Sequence, residues 1–277
     1  PALICGNAVV FKPASSTPMT AVKLVEVFDE AGLPPGVLNM VTGPGSSVGN
    51  VFVENPSVKG ITFTGSTEIG TQVYAQGAAR LKKVQCEMGG KNAVILLADA
   101  DLDKALGGIV QGAFGSTGQR CTATSRVIVE DAIYDGFMDG LIKRTRNLKI
   151  GNGSDPNVDV SPLASKSQYD AVTEYIEIGT REGAKIVYGG NSLSGGIFDE
   201  GYYVEPTVFT EVNTSMRIAQ EEIFGPVLTI FKAKNLIEAI DISNNVKFGL
   251  SSSVYTRDLT KAFQYVNTAD AGMVHIN

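Results

Sequence analysis

Over about the first 90 residues, apolar and polar positions switch repeatedly between a strand period and a helix period. The run from Asn7 to Lys12 (Ala-Val-Val-Phe-Lys at its core) predicts a buried strand. Thr17-Pro18 then supplies an N-cap and a proline at the first helical position. Val22, Leu24, Val25 and Phe28 follow at helical spacing, and Gly32-Leu33-Pro34-Pro35 stops that helix. Val37 to Val41 predicts a second strand. Gly43-Pro44-Gly45-Ser46-Ser47-Val48-Gly49 predicts a loop entering a second helix. A third strand is expected over Gly60 to Thr64, with Gly65-Ser66 opening a third helix, and a fourth over Val84 to Glu87. Strands alternating with helices predict a parallel sheet covered by helices, with right-handed crossovers.

The pattern continues past Gly89-Gly90 with a different loading. Strands are expected at Ala93–Leu97 and Arg126–Glu130. Helices are expected from Asp101 to about Ser116, from Ala132 to Leu148, and near Lys166 to Glu182, with a polar loop over Gly151–Asp159. The division therefore falls near Gly89-Gly90, giving units 1–89 and 90–277. No repeat or low-complexity segment interrupts either. Both ends read as cut: the chain opens on Pro1 and closes on Val274-His275-Ile276-Asn277, which reads as a strand end.

Composition narrows the function classes. The 277 residues are 43% hydrophobic and 19% charged, a globular balance. A net charge of −6 without a basic block argues against nucleic acid or an anionic membrane as partner. No apolar run approaches the roughly 18 residues of a membrane span, and no signal peptide is visible. Cys5, Cys86 and Cys121 are few, odd in number and far apart, so a reducing compartment (the cytoplasm) is expected rather than a disulfide framework. His275 is the single histidine, so neither a His-centred triad nor a multi-His metal site is expected. A catalytic thiol would need a carboxylate as its base.

Two residues stand out as carriers of chemistry. Cys121 lies in Gly118-Gln119-Arg120-Cys121-Thr122, a small-residue loop between helix and strand. Such neighbours let a substrate reach the sulfur and expose N–H groups to an oxyanion, while Arg120 favours thiolate. Taken singly, a buried structural cysteine explains it as well. Glu87 ends an apolar parallel strand, where such sheets bind ligands, and partial burial there would suit a general base. Taken singly, it also reads as a salt-bridged strand end. Gly43 to Gly49 has GxGxxxG spacing, near a dinucleotide loop but not matching one. Gly65-Ser66 after Phe63-Thr64 could hold a phosphate at a helix N-terminus, or simply cap the helix.

Taken together, these segments resemble the aldehyde dehydrogenase superfamily over essentially the whole chain. The matches run in family order: Gly6-Asn7-Ala8-Val9-Val10-Phe11-Lys12-Pro13, Phe63-Thr64-Gly65-Ser66-Thr67-Glu68-Ile69-Gly70, Glu87-Met88-Gly89-Gly90-Lys91, Gly118-Gln119-Arg120-Cys121, and Glu221-Glu222-Ile223-Phe224-Gly225-Pro226-Val227. The resemblance implies an α/β fold, with a Rossmann-like cofactor domain followed by a second α/β catalytic domain and the active site in the cleft between them. It implies Cys121 as nucleophile and Glu87 as the base that activates the hydrolytic water. Lys12 would meet the adenosine ribose, Gly65-Ser66 the pyrophosphate, and Glu222 the nicotinamide ribose with Phe224 beside it. Gly45, Gly49 and Phe63 join the expected cofactor set. No metal is expected. The implied partners are NAD or NADP and a small aldehyde, in a homodimer or homotetramer at full length.

Finer expectations follow from individual positions. The run Ser116 to Arg126 is most similar to 2-oxoglutarate semialdehyde (2,5-dioxopentanoate) dehydrogenases, with succinate semialdehyde and non-phosphorylating glyceraldehyde-3-phosphate dehydrogenases as alternatives. Arg120 would receive an anionic aldehyde, or else point away and pair with a carboxylate. Ser15 stands where many NAD-preferring relatives carry glutamate, which leaves room for a 2′-phosphate, so NADP should be accepted. The resemblance also implies an upstream Pro-Trp-Asn segment whose asparagine completes the oxyanion hole, and these 277 residues do not include it. Losing one such donor costs on the order of 10² to 10³ in rate. A catalytically silent scaffold is the alternative of another class.

Overall fold

The computed structural model describes all 277 residues. The chain divides into two compact units, Pro1–Met88 and Gly89–Asn277. That division falls one residue before the one expected from sequence.

The first unit contains β1 (Val9–Phe11), α1 (Pro18–Glu30), β2 (Leu38–Met40), α2 (Asn50–Glu54), β3 (Gly60–Thr64), α3 (Thr67–Ala78) and β4 (Lys83–Glu87). Its strands do not form one sheet. β1 pairs with β2, and β3 with β4, each pair parallel and separate from the other. The expected buried strand around Val9 is short and half-open: Val10 is 47% exposed. Period-2 patterning fixes which residues share a face, but not whether a second layer covers that face. Ala21 and Val53 are the only buried hydrophobic residues of this unit. Pro18 does begin α1, yet Thr17 makes no side-chain cap bond.

The second unit holds the core. It comprises β5 (Asn92–Leu96), α4 (Leu102–Phe114), β6 (Thr124–Glu130), α5 (Tyr134–Arg146), α6 (Lys166–Arg181), β7 (Lys185–Tyr188), β8 (Thr207–Thr210), α7 (Arg217–Gln220), β9 (Val227–Ala233), α8 (Leu236–Asn244), β10 (Ser251–Tyr255), α9 (Leu259–Thr268) and β11 (Met273–Ile276). Seven strands form one sheet in the order β11-β10-β5-β6-β9-β8-β7. All neighbours are parallel except β7 with β8.

Helices cover both faces of that sheet, so its central strands read as continuous apolar runs. Ile95, Leu97 and Ile128 face α6, α8 and α9. Leu96, Val127 and Val129 face α4 and α5. Each fully buried Ile or Leu contributes about 1.5–3 kcal/mol relative to exposure. Local chemistry sets the helix starts. The Asp101 carboxylate accepts from the Lys104 N–H, the Ser165 hydroxyl from Gln168 and the Asn235 amide oxygen from Glu238. The helix expected to reach Ser116 ends at Phe114, because Ser116 and Thr117 adopt left-handed backbone.

Candidate active site

In the second unit the candidate residues collect at the amino edge of the parallel sheet. Gly89–Lys91 lead into β5, Cys121–Ala123 lead into β6, and Glu222–Pro226 lead into β9. Three close approaches join these segments. A side chain on Gly118 would overlap the Gly225 carbonyl oxygen, one on Gly90 would sit 2.8 Å from the Cys121 carbonyl oxygen, and one on Gly89 would overlap a Glu222 carboxylate oxygen. Glycine at these positions lets the three segments pack against each other.

Cys121 follows an unusual turn. Ser116, Thr117 and Gly118 all have positive φ, at 53°, 57° and 65°. Backbone of this kind persists only where surroundings enforce it, and such strain clusters at functional sites. Here the Thr117 hydroxyl donates to the Ser161 carbonyl at 2.7 Å, and the Gln119 side-chain oxygen accepts from the Ala164 N–H at 2.9 Å. The thiol itself is exposed, which removes the buried structural reading. The Cys121 backbone N–H makes no hydrogen bond within the protein and is available to an oxyanion.

Two adjacent glutamates meet different environments. Glu221 is held by the Arg217 guanidinium and by the Tyr175 hydroxyl at 2.7 Å, so its carboxyl lies below the usual range. Glu222 is half-buried, and desolvation raises its carboxyl despite the Gly90 N–H at 3.1 Å and the nearby Lys91 charge. Phe224 also has positive φ, at 55°. The Gln168 amide holds this bend by donating to the Ile223 and Phe224 carbonyls, both at 2.9 Å.

Arg120 is exposed, and its guanidinium donates to the Gln111 carbonyl at 3.3 Å. That contact places a cation at the C-terminal turn of α4, a favourable end for positive charge. No carboxylate lies within ion-pair reach of Arg120, so the expected alternative of a carboxylate partner is corrected.

In the first unit the candidates lie at the carboxyl ends of strands, where open α/β sheets bind ligands. Lys12 follows β1, and its ammonium donates to the Pro13 carbonyl at 2.7 Å. Ser15 is exposed beyond it. Ser66 caps α3 by accepting from the Ile69 N–H at 3.4 Å. The ring of half-buried Phe63 packs where a Gly65 side chain would be, 2.6 Å from the ring edge. Phe63 therefore supports the turn. Gly45 and Gly49 bound a single wide helical turn instead of the expected loop. Neither has positive φ or a close neighbour. Glu87 ends β4, and its carbonyl accepts from the Gly65 N–H at 3.1 Å. Its side chain is exposed, contrary to the expected partial burial, and Gln85 donates to its carboxylate at 3.4 Å. The β4 positions alternate outward and inward, and Glu87 falls on the outward phase.

Sequence reasoning passed over the residues that brace this site. Arg126 is buried, and its guanidinium donates to the carbonyls of Lys91, Ile242 and Ser243 at 2.9, 3.0 and 2.8 Å. Burial lowers it to about 10. Lys91 is 2% exposed, its ammonium nitrogen makes no hydrogen bond within the protein, and burial lowers it to about 7. The available signal was a polar residue just before an apolar run. No group of three or more His, Cys, Asp or Glu side chains is placed to hold a metal ion, and no helix is long and apolar enough to cross a membrane.

The fold defines an α/β protein whose seven-stranded unit presents an exposed thiol on a braced turn before β6 and a half-buried carboxylate before β9. The chain belongs to the aldehyde dehydrogenase family, whose model matches residues 1–277. It is 48% identical over 277 residues to the alpha-ketoglutaric semialdehyde dehydrogenase of Bacillus subtilis, covering all of this chain and 57% of that protein. It is 44% identical to the alpha-ketoglutarate semialdehyde dehydrogenase of Haloferax volcanii, again over all of this chain and 57% of that one. Among solved structures, a point mutant of betaine aldehyde dehydrogenase from Staphylococcus aureus in complex with NAD+ superposes with a TM-score of 0.94 at 36% identity, covering 97% of this chain and 55% of that chain. The chain thus spans 57% of the length of these curated relatives.

Proposed function

We propose that the protein oxidises an aldehyde to a carboxylate with a nicotinamide cofactor, through a thioester on Cys121. The observation that carries this reading is the exposed Cys121 thiol on a turn pinned by Thr117 and Gln119, with its own N–H unengaged. The Cys121 thiolate attacks the aldehyde carbon, forming the C–S bond, and the Cys121 N–H donates to the resulting oxyanion. A nicotinamide, when bound, supplies the hydride acceptor that leaves the cysteine adduct as a thioester. Glu87 then takes a proton from water. The resulting hydroxide adds to the thioester carbon, the C–S bond breaks and thiolate leaves, and the carboxylic acid so formed loses its proton to solvent as carboxylate.

The residues present suit such a cofactor. Ser66 and the first turn of α3 offer a helix N-terminus for a pyrophosphate. Lys12 carries a cation for the adenosine ribose, and half-buried Glu222 offers a carboxylate for the second ribose. Ser15 places no negative charge where a 2′-phosphate would lie, so NADP is accepted alongside NAD. Ser15→Glu should cut kcat/KM with NADP more than with NAD. Equal losses would remove the argument.

The proposed substrate is 2-oxoglutarate semialdehyde. Two relatives that match over the whole chain are named for this aldehyde, and Arg120 carries a cation without a carboxylate partner next to the nucleophile. A panel of anionic and neutral aldehydes, offered to the full-length protein with each cofactor, tests the choice. The highest kcat/KM should fall on the 2-oxo dicarboxylic semialdehyde. Arg120→Ala should lower turnover of anionic aldehydes selectively, and equal losses on neutral ones would contradict its role.

A further inference from the structure

Asn92 is a polar residue at the head of a fully buried strand and is 6% exposed. Its amide nitrogen donates to the Cys121 carbonyl at 2.8 Å and to the Ala123 carbonyl at 2.9 Å. Its amide oxygen accepts from the Ser251 N–H at 3.1 Å. Only this orientation of the amide satisfies all three partners, because the flipped one would set oxygen against two carbonyls. The backbone around it is shaped for the arrangement. The pairing of β5 with β6 runs from Asn92↔Thr124 to Ala93↔Arg126, so Ser125 is an extra residue in β6. Bulges of this kind redirect side chains beside active sites. The Ser125 hydroxyl donates to the Asn92 carbonyl at 3.3 Å, and the Thr229 hydroxyl donates to the Ser125 carbonyl at 3.0 Å.

We propose that Asn92 is a positioning residue for the nucleophile: its amide clamps the Cys121–Ala123 segment by two carbonyls and ties it to the start of β10, which fixes the direction in which the thiol leaves the chain. This rests on reading Cys121 as the nucleophile. No other side chain donates to either carbonyl, so the clamp has one donor group. Gly90 completes the arrangement, since a side chain there would lie 2.7 Å from the Asn92 amide oxygen and 2.8 Å from the Cys121 carbonyl oxygen.

The test uses Asn92→Asp and Asn92→Ser in the full-length protein, with Cys121→Ser alongside. Asn92→Asp keeps the size but has no donor when ionised, while Asn92→Ser keeps one. Kinetics, cofactor dissociation constant, melting temperature and the rate of Cys121 alkylation by iodoacetamide are read for each. Misplacing a reacting group by about 1 Å costs about 10²-fold. The expected result is a loss of that order in kcat for Asn92→Asp and a smaller one for Asn92→Ser. Alkylation should slow in the same order, with cofactor affinity unchanged. Should Asn92→Asp fail to fold, Asn92→Ser alone must show the kcat loss with unchanged cofactor affinity. Unchanged kcat and alkylation in a folded variant would overturn the proposal. So would losses of kcat and cofactor affinity that merely follow the melting temperature while alkylation stays at the wild-type rate. Activity surviving in Cys121→Ser would instead remove the nucleophile reading itself.

Discussion

At the scale of single residues, the candidate site is a set of tight approaches among the segments that lead into β5, β6 and β9. Gly118 combines a φ of 65° with a Gly225 carbonyl oxygen where its side chain would be. Gly118→Ala should therefore cost at least about 1–2 kcal/mol from the left-handed backbone alone. Urea unfolding measures that loss, and a wild-type midpoint would show that the turn can relax. Lys91 makes a second, pH-dependent prediction. In the folded protein its ammonium titrates at about 7, whereas the unfolded chain holds the proton to about 10.5. Between these values the unfolded state binds more protons, so stability rises with pH, by up to about 1.4 kcal/mol per unit. Below about 7 both states are protonated, and burying the charge is fully destabilising. Lys91→Met should lose this rise, as seen by comparing denaturant midpoints from pH 7 to 9; parallel curves would place the lysine charge elsewhere. Cys121, Glu87, Glu222 and Phe224 are candidates from the sequence because they sit in motifs with a shared order. Lys91, Asn92 and Arg126 were not marked as functional, because a polar residue beside an apolar run gives no sign of what it meets across the sheet.

At the scale of elements, the two units present their candidates at opposite strand ends. Lys12, Ser66 and Glu87 lie at or just after the carboxyl ends of β1, β3 and β4, while Asn92, Cys121 and Glu222 lie at or just before the amino ends of β5, β6 and β9. Periodicity revealed nearly all the elements through α6, since helix and strand periods differ along the whole chain. It did not reveal pairing. The separation of β1-β2 from β3-β4 and the bulge at Ser125 are tertiary facts without a local signature. Arg126 is the clearest element-level brace, joining the β5 entry, β6 and α8 through three carbonyls. Arg126→Lys keeps the charge but cannot reproduce the planar fork. Hydrogen bonds to charged groups contribute about 1.5–3 kcal/mol each, so the substitution should destabilise the second unit by at least about 2 kcal/mol. Thermal unfolding would show this, and an unchanged melting temperature would contradict the bracing role. At a helix start, Asp258 accepts from the Thr260 and Lys261 N–H groups. Asp258→Ala should cost about 1 kcal/mol of stability by urea titration without touching thiol reactivity.

At the scale of the whole molecule, the family model matches residues 1–277, while the proposed reaction rests on Cys121 and Glu87 acting in sequence. Those two side chains belong to different units of the chain. The sequence order of their motifs made both visible, yet the exposure of Glu87 was not, because burial depends on what packs over a strand end. The division of labour makes a sharp kinetic prediction. In the proposed reaction acylation needs Cys121, whereas release of the product needs Glu87. The most direct measurement is therefore a single-turnover experiment on full-length Glu87→Gln with aldehyde and nicotinamide cofactor, followed by mass analysis of the Cys121 peptide. The account predicts a burst of reduced cofactor close to one per site, slow turnover afterwards, and an acyl group of the aldehyde's mass on Cys121. Steady turnover without a burst, or a burst with no acyl group on that cysteine, would contradict it.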